Sequence, residues 1–236
     1  MRFAHPKLVT FSGIDGAGKS TQIQALESNL WELGFRSRLY AFWDDVVVLS
    51  RFREHVSHSA FKGDAGIGSP ERPINRRDKN VQSWYVTAAR LVLYLLDALS
   101  LRRFVKKITR SGCDYIIFDR YIYDELANLP LNVPFMRTYV RFVLWLAPTP
   151  EIAYLIDADP EAARKRKPEY PLDFLRKNRD AYIALSCLVE PMHLVGADAP
   201  DNTASTIMKS ISMARIRHGS TPEMPSKTSQ PKVTTA

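Results

Sequence analysis

Residues 13–21 have the residue types and the spacing of a loop that binds phosphate. Residues 13–20 read GIDGAGKS and match the pattern G-x-x-x-x-G-K-[ST] at every fixed position. Glycines let backbone N–H groups turn inward around phosphates, Lys19 adds a cation for the β- and γ-phosphates, and the Ser20 hydroxyl can ligate magnesium. The sequence therefore predicts that this chain binds ATP and Mg²⁺. The expected contacts come from Gly13, Ile14, Asp15, Gly16, Ala17, Gly18, Lys19, Ser20 and Thr21.

A second pair of candidate residues follows the apolar run 115–118, which has the character of a buried strand. Asp119 and Arg120 come directly after it, at the end of the strand that faces the phosphate loop in a parallel sheet. An aspartate at such a place can hold Mg²⁺ through water, together with Ser20. An arginine there can form two parallel hydrogen bonds to a phosphate of the acceptor, as a catalytic and substrate-binding residue. The alternative is an ion pair that only closes the strand end.

A compact basic run occupies residues 164–167, within a segment at 159–171 that begins with Asp-Pro and ends with Pro. Basic side chains on a helix that can swing over ATP would neutralise charge on the transferring phosphoryl group. We therefore expect residues 159–171 to form a lid, with Arg164 and Arg166 as catalytic candidates. The alternative for such a run is a solvated basic face of a helix.

Strand patterns alternate with helix patterns along most of the chain. Strands are predicted at 7–12, 36–42, 115–118, 151–156 and 193–195, and helices at 19–31, 46–56, 81–108, 134–147, 174–188 and 202–217, with one more that begins at Pro160. This alternation predicts an α/β fold of the three-layer P-loop NTPase type. It has an open parallel sheet of about five strands, helices on both faces and a short lid.

Length and composition are those of one globular domain. Of the 236 residues, 45% are hydrophobic and 25% are charged, and no run of about 20 apolar residues could span a membrane. We expect a catalytic domain over residues 1–218, with a mobile loop at 62–80, and a disordered tail at 219–236 that is rich in Ser, Thr and Pro. The N-terminus lacks a signal-peptide pattern, so the protein is expected in the cytoplasm with no membrane partner.

Charge and cysteine content exclude two other classes of protein. The net charge is +8, but residues 207–236 hold five basic residues against one glutamate, so half of the excess lies at one end of the chain. The remainder is what a phosphate-handling site needs, which argues against a nucleic-acid partner. Two cysteines without C-x-x-C spacing argue against a disulfide scaffold and a zinc site.

Over roughly residues 7–215 the chain resembles the thymidylate kinase family of P-loop nucleoside monophosphate kinases. FSGIDGAGKSTQ resembles the phosphate loop of that family, FDRYIYDELA resembles its Asp-Arg-Tyr motif and the following helix, and YLIDADPEAARKR resembles its fourth strand and lid. The resemblance implies ATP and Mg²⁺ as cofactors, a small-molecule phosphoryl acceptor and a homodimer.

The resemblance also implies roles for single residues. Asp15 would touch the sugar hydroxyl of the acceptor, Arg120 would bind its phosphate, and Arg90 would face its base. Lys19 would hold the ATP phosphates. In the family a catalytic arginine lies in the phosphate loop or in the lid, and Gly16 occupies the loop position here, so Arg164 or Arg166 would serve.

The acceptor half of the chain departs from the family pattern. The family has an Arg-Glu-Pro-Gly-Gly-Thr-like stretch after its second strand, where this chain reads FWDDV at 42–46. Val86 stands where the family has an aromatic residue that stacks on thymine, and Asn128-Leu129 replaces a Tyr-Gln pair. The ATP half therefore matches, while the sequence does not identify the acceptor.

The leading interpretation is an ATP-dependent kinase that phosphorylates a nucleoside monophosphate or a similar phosphorylated small molecule, and two alternatives remain open. A kinase that acts on a hydroxyl, such as a deoxynucleoside kinase, needs a carboxylate base, and Asp44 or Asp45 lies where one could reach the acceptor. These aspartates would otherwise cap the helix predicted at 46–56. The second alternative is a nucleotide-binding switch without transfer chemistry.

Overall fold

Five parallel strands form the sheet of this computed structural model, which describes residues 5–47, 84–190, 192–196 and 207–209. They are β1 (Lys7–Ser12), β2 (Ser37–Ala41), β3 (Tyr115–Asp119), β4 (Ile152–Asp157) and β5 (Met192–Gly196). Their order across the sheet is β2-β3-β1-β4-β5, and each neighbouring pair runs parallel. The predicted α/β fold with an open parallel sheet of five strands is confirmed.

The carboxyl ends of the strands that bear the predicted site are aligned. Asp119, the last residue of β3, pairs with Phe11 of β1 on one side and with Ala41 of β2 on the other. Ser12, the last residue of β1, pairs with Leu155 of β4. The loop after β1, the end of β3 and the turn after β2 therefore meet at one edge of the sheet, where α/β folds of this kind bind ligands.

The central strands form the core of the sheet. Strands β1, β3 and β4 are buried almost throughout, as expected for parallel strands covered on both faces. Strands β3 and β4 are mainly apolar, whereas β1 also buries Lys7, Thr10 and Ser12. The outer strands β2 and β5 are more exposed. The chain segments that leave the central strands are therefore anchored in the most rigid part of the fold.

Seven α-helices bounded within the described residues accompany the sheet. Asp159 begins one of them, because its carboxylate accepts a hydrogen bond from the Ala162 backbone N at 2.9 Å and Pro160 fills the first position. The helix predicted to begin at Pro160 is thus confirmed. The seven are α1 (Lys19–Glu32), α2 (Phe42–Asp45), α3 (Trp84–Ile108), α4 (Ile122–Leu126), α5 (Pro134–Leu146), α6 (Pro160–Arg166) and α7 (Leu172–Ser186).

The prediction of a helix at 46–56 is wrong for residues 46 and 47, the part of that range that the structure describes. Helix α2 occupies Phe42–Asp45 instead, and the two described residues after it are not helical. The Asp45 carboxylate accepts a hydrogen bond from the Ala41 backbone N at 2.8 Å and so closes a turn directly after β2. Asp44 and Asp45 therefore lie within a helical turn rather than ahead of a helix.

Several predicted segments lie outside the described residues. These are the loop at 62–80, the tail at 219–236 and most of the helix at 202–217, of which only residues 207–209 are described, as helical. Ile207 is buried, and its carbonyl oxygen accepts a hydrogen bond from the Tyr154 hydroxyl at 3.1 Å. Within the part of the chain that the structure describes, no helix is long and apolar enough to cross a membrane.

Candidate active site

The phosphate loop connects the buried strand β1 to helix α1. Gly18 precedes the helix in the left-handed conformation, with φ of 93°, and Lys19 is the first helical residue. The Lys19 ammonium folds back over the loop and donates hydrogen bonds to the carbonyl oxygens of Gly13 and Ile14, each at 2.9 Å. The cation is therefore held at the mouth of a loop whose backbone is built for an anion.

The Lys19 ammonium holds its proton less strongly in this environment than a lysine in water does. The pKa of the Lys19 ammonium is lowered from 10.5 to about 8, mainly by burial and next by the nearby Arg120 cation, while Asp15, Asp124 and Asp119 oppose the shift. A bound polyphosphate would supply negative charge next to the ammonium and favour its protonated form. Binding of a phosphate anion would therefore raise the pKa of Lys19 and keep its ammonium charged.

Two glycines of the phosphate loop lie against the backbone of β4 and of α6. A Cβ at Gly13 would lie 2.6 Å from the carbonyl oxygen of Ile156 in β4. A Cβ at Gly16, which has φ of 80°, would collide with the carbonyl oxygen of Ala163 in α6. Position 16 therefore admits no side chain in this arrangement, and an arginine could not serve from there.

Helix α6, the predicted lid, rests on the phosphate loop. A Cβ at Gly18 would lie 3.6 Å from Nη1 of Arg166, so that guanidinium reaches over the start of α1. Arg164 is half-buried, and among the described residues it makes no ion pair or hydrogen bond. Arg176 of α7 pairs with Glu161 and ties the lid to the next helix. The segment predicted to be a lid thus brings Arg166 beside the phosphate loop, whereas for Arg164 the role at the loop stays a prediction.

Asp119 meets the requirement for a magnesium-binding carboxylate. Its Oδ1 atom is buried and has no hydrogen-bond partner among the described residues, which is costly for a carboxylate unless a cation or its water shell supplies one. Ser20, in the first turn of α1, is exposed at the same edge of the sheet. Oxygen atoms of this kind fit Mg²⁺, which keeps several waters and takes its other ligands from phosphates. When bound, Mg²⁺ would neutralise charge on the β- and γ-phosphates.

Arg120 lies in a strained backbone conformation. Its φ is 67°, and among the described residues no other non-glycine has a positive φ. Its backbone N donates to the Phe11 carbonyl at 2.9 Å, which fixes the turn after β3 against β1. Strain of this kind persists where the surroundings enforce it, often at functional sites. Here it directs the guanidinium towards the phosphate loop.

The Arg120 guanidinium lies between two carboxylates. Nη2 donates to Asp15 of the phosphate loop, and Nη1 donates to Asp124 of α4 at 2.9 Å. Burial alone would lower the pKa of Arg120, but the negative charges around it, with that of Asp124 the largest, raise the pKa above its already high ordinary value. The arginine therefore stays cationic, and it contacts the phosphate loop directly through Asp15.

Sequence reasoning missed Asp124 and Tyr182. Asp124 is buried, and the Tyr182 hydroxyl of α7 donates to it at 2.6 Å across 58 residues of sequence. Asp124 also accepts a bond from the Tyr121 backbone N, three residues earlier, so an acidic residue in the first turn of α4 was the one local signal. Its contact with Tyr182 has no local signal at all.

The two remaining candidates, Arg90 and Asp44, lie on helices α3 and α2. Arg90 is half-buried in the second turn of α3, a helix that contacts α4. Asp44 is exposed in α2, which begins one residue after Ala41, the partner of Asp119 in the sheet. Asp44 thus borders the same edge of the sheet, and the roles of both residues stay predictions.

Known proteins are similar in sequence to this chain over most of its length. The chain is 30% identical over 184 residues to the "Probable thymidylate kinase" of Pyrobaculum aerophilum, covering 75% of this chain and 81% of that protein. The chain belongs to the thymidylate kinase family. A second member, the "Probable thymidylate kinase" of Archaeoglobus fulgidus, is 27% identical over 184 residues, covering 75% of this chain and 80% of the relative. No protein-family model matches the chain.

A solved member of the thymidylate kinase family confirms the fold. The chain superposes on the thymidylate kinase of Candida albicans with a TM-score of 0.61, covering 89% of this chain and 93% of that structure at 18% identity. At this identity the likeness concerns the fold alone. The predicted family resemblance is confirmed, and family membership implies ATP and Mg²⁺ use and a nucleotide substrate.

Proposed function

We propose that this protein transfers the γ-phosphoryl group of ATP to the phosphate of a nucleoside monophosphate. The observation that carries the proposal is the contact of Arg120 with Asp15, which places a fixed guanidinium against the phosphate loop. An acceptor phosphate bound by that guanidinium would lie next to the phosphates of ATP. Phosphoryl transfer needs this kind of positioning and charge stabilisation more than it needs covalent chemistry.

The other residues of the site would bind the ATP phosphates, hold Mg²⁺ and stabilise charge on the transferring group. Backbone N–H groups of residues 13–21 and the Lys19 ammonium would bind the ATP phosphates. Ser20 and, through water, Asp119 would hold Mg²⁺. Arg166, whose guanidinium reaches over Gly18, and Arg164 beside it would stabilise charge on the transferring group. The lid in this position would also keep bulk water from the reacting atoms.

Deoxythymidine monophosphate is the first acceptor to test. The two relatives named above carry the name thymidylate kinase, and this chain shares the phosphate loop, the Asp-Arg-Tyr segment and the lid with that family. Val86 and Asn128-Leu129 replace the residues expected to recognise thymine. We therefore propose a monophosphate acceptor as the class and leave its base to experiment.

One observation favours a second candidate, a kinase that acts on a hydroxyl. Asp44 is exposed at the edge of the sheet next to Asp119, and it makes no hydrogen bond or ion pair among the described residues. It is thus available as a general base, whereas Asp45 is occupied by the Ala41 backbone N. Because Arg120 is held against the phosphate loop whereas Asp44 is exposed, we favour an acceptor that carries a phosphate over one that reacts through a hydroxyl.

An ATP-consumption screen separates these functions. The protein is mixed with ATP, Mg²⁺ and panels of nucleosides, nucleoside monophosphates and phosphorylated sugars, and ADP release is followed. Turnover with a monophosphate supports the proposal, and turnover with nucleosides alone supports the second candidate. Tight ATP binding without turnover on any panel would contradict both and indicate a nucleotide-dependent switch.

A further inference from the structure

Asp124 is a buried carboxylate to which the proposed reaction gives no direct role. Its side chain is 2% exposed, in the first turn of α4 and four residues after Arg120. A buried charge destabilises a fold unless other groups pair with it and donate hydrogen bonds to it. The groups that meet Asp124 therefore indicate what it does.

Each oxygen of Asp124 accepts two hydrogen bonds. Oδ1 accepts from Nη1 of Arg120 at 2.9 Å and from the Tyr182 hydroxyl at 2.6 Å. Oδ2 accepts from the Ser12 hydroxyl at 2.8 Å and from the Tyr121 backbone N at 3.1 Å. These donors come from β1, from α7 and from the turn after β3. The carboxylate is therefore fixed from several sides and cannot rotate without breaking bonds to separate elements.

The two carboxylates on Arg120 differ in their exposure to solvent. The Asp15 side chain is 21% exposed on the phosphate loop, whereas that of Asp124 is 2% exposed. They use different nitrogens, since Asp15 accepts from Nη2 and Asp124 accepts from Nη1. A guanidinium has five N–H donors in a fixed plane, so one edge can change partner while another stays bonded.

We propose that Asp124 is a positioning residue for Arg120. It holds Nη1 so that the Nη2 edge of the guanidinium exchanges Asp15 for the phosphate of the acceptor. The identity of that incoming anion rests on the proposed function, whereas the ordering of Arg120 by Asp124 does not. Tyr182 extends the same anchor to α7, the helix that Arg176 ties to the lid.

A purely structural role for Asp124 makes a different set of predictions. Its bond from the Tyr121 backbone N is a helix cap, and loss of a cap lowers stability without any preference for one substrate. Asp124→Asn keeps the volume and one carbonyl oxygen for the cap but removes the charge that pairs with Arg120. Ser12→Ala is the matched control, because it removes one bond to Oδ2 and leaves the Arg120 pair intact.

The first measurement follows Arg120 itself, in full-length ¹⁵N-labelled protein without ligand. The Nε–Hε resonance of Arg120 is assigned by its loss in Arg120→Lys. Wild type and Ser12→Ala should show a sharp, protected resonance, and Asp124→Asn should show a broadened or exchange-averaged one. Tyr182→Phe, which leaves the ion pair in place, should lie between them. It keeps the test decisive if Asp124→Asn does not fold. An unchanged resonance in both variants overturns the proposal.

The second measurement uses deoxythymidine monophosphate as the acceptor probe. In Asp124→Asn its KM should rise about tenfold to a hundredfold, the usual cost of removing an outer partner that orients a binding residue, while the KM for ATP stays within about twofold. The double variant with Arg120→Lys should be no worse than Arg120→Lys alone, since Asp124 acts through Arg120. Losses that multiply would overturn the proposal.

The two measurements also separate failure of this inference from failure of the proposed function. If wild-type protein phosphorylates no monophosphate, the proposed function is wrong, and the Arg120 resonance alone decides the role of Asp124. A resonance lost in Asp124→Asn then still supports positioning, and a retained one refutes it. If wild type is active and Asp124→Asn matches it in both KM values, only the inference fails.

Discussion

Gly16 of the phosphate loop lies against the carbonyl oxygen of Ala163 in the lid helix, with no room between them for a side chain. The contact is backbone against backbone, so its spacing is set by the two main chains rather than by flexible groups. It places the basic end of α6 beside the loop, with Nη1 of Arg166 next to Gly18. The absence of a side chain at position 16 is therefore a condition for the observed packing of α6 on the phosphate loop.

Gly16→Ala should prevent the lid from seating. The new Cβ would collide with Ala163, and the misplaced lid arginines should lower kcat by about 10²-fold, the scale at which small misplacements act. Gly34→Ala is the matched control, because Gly34 also has a positive φ, of 77°, but nothing lies within 4 Å of its added Cβ. Both variants should lose about 1 kcal/mol of stability from backbone strain, and only Gly16→Ala should lose turnover. Equal turnover in the two would contradict the lid contact.

Lys19 should make ATP binding depend on pH near 8. Burial lowers its pKa to about 8, so the free enzyme loses this charge as the pH rises through that value, whereas bound phosphates favour the protonated form. The KM for ATP should therefore rise above pH 8, and ATP binding at pH 8.5 should take up a proton. Calorimetry in two buffers of different ionisation enthalpy measures this uptake.

Lys19→Arg controls for that titration, because a guanidinium does not lose its proton in this range. Its ATP binding should show no linked proton uptake, whatever its turnover. Wild-type binding without proton uptake, together with a flat KM from pH 7 to 9.5, would contradict the assignment.

Arg120→Lys compared with Asp44→Asn/Asp45→Asn tests the class of acceptor. Lysine keeps the charge but not the two parallel hydrogen bonds, so the acceptor KM should rise and kcat should fall while the KM for ATP moves little. The double asparagine variant should matter far less, because a phosphate acceptor needs no base. For a hydroxyl acceptor the order reverses, and that variant should lose on the order of 10²–10⁴ in rate. Steady-state kinetics on both substrates decides between the two patterns.

Arg166→Ala should slow transfer through loss of charge at the lid. Its guanidinium reaches over Gly18, and removing one such donor typically lowers kcat on the order of 10²-fold. Lys165→Ala is the matched control, since Lys165 is an exposed neighbour on the same helix. Single-turnover rates at saturating ATP isolate the chemical step. If neither Arg166→Ala nor Arg164→Ala were slower than Lys165→Ala, the lid arginines would have no catalytic role.

Local chemistry determines the parts of the molecule that could be predicted from sequence. The phosphate loop depends on glycines, Lys19 and Ser20 at fixed spacing. Helix α6 begins where Asp159 caps the helix and Pro160 occupies its first position. Strands β3 and β4 were recognisable as mainly apolar runs because both of their faces are buried. In each case a few neighbouring residues carry the whole signal.

Contacts between distant segments determine what could not be predicted. Asp124 meets Ser12 across 112 residues, and nothing near either residue indicates the other. The turn at Phe42–Asp45 was missed because Asp45 bonds back to Ala41 and competes with the helix that the apolar pattern at 46–56 favours. Position 16 shows the same limit, since its glycine is explained by a lid that lies about 150 residues away in sequence.

The destination of the transferred phosphoryl group tests the central claim most directly. Wild-type protein is incubated with ATP labelled at the γ-phosphate, Mg²⁺ and deoxythymidine monophosphate or another nucleoside monophosphate from the screen, and the products are separated. We predict label in the β-phosphate of a nucleoside diphosphate, and none in this product with Lys19→Ala. In a parallel incubation that contains free nucleosides, label on a nucleoside hydroxyl, with every monophosphate left unlabelled, would contradict the claim.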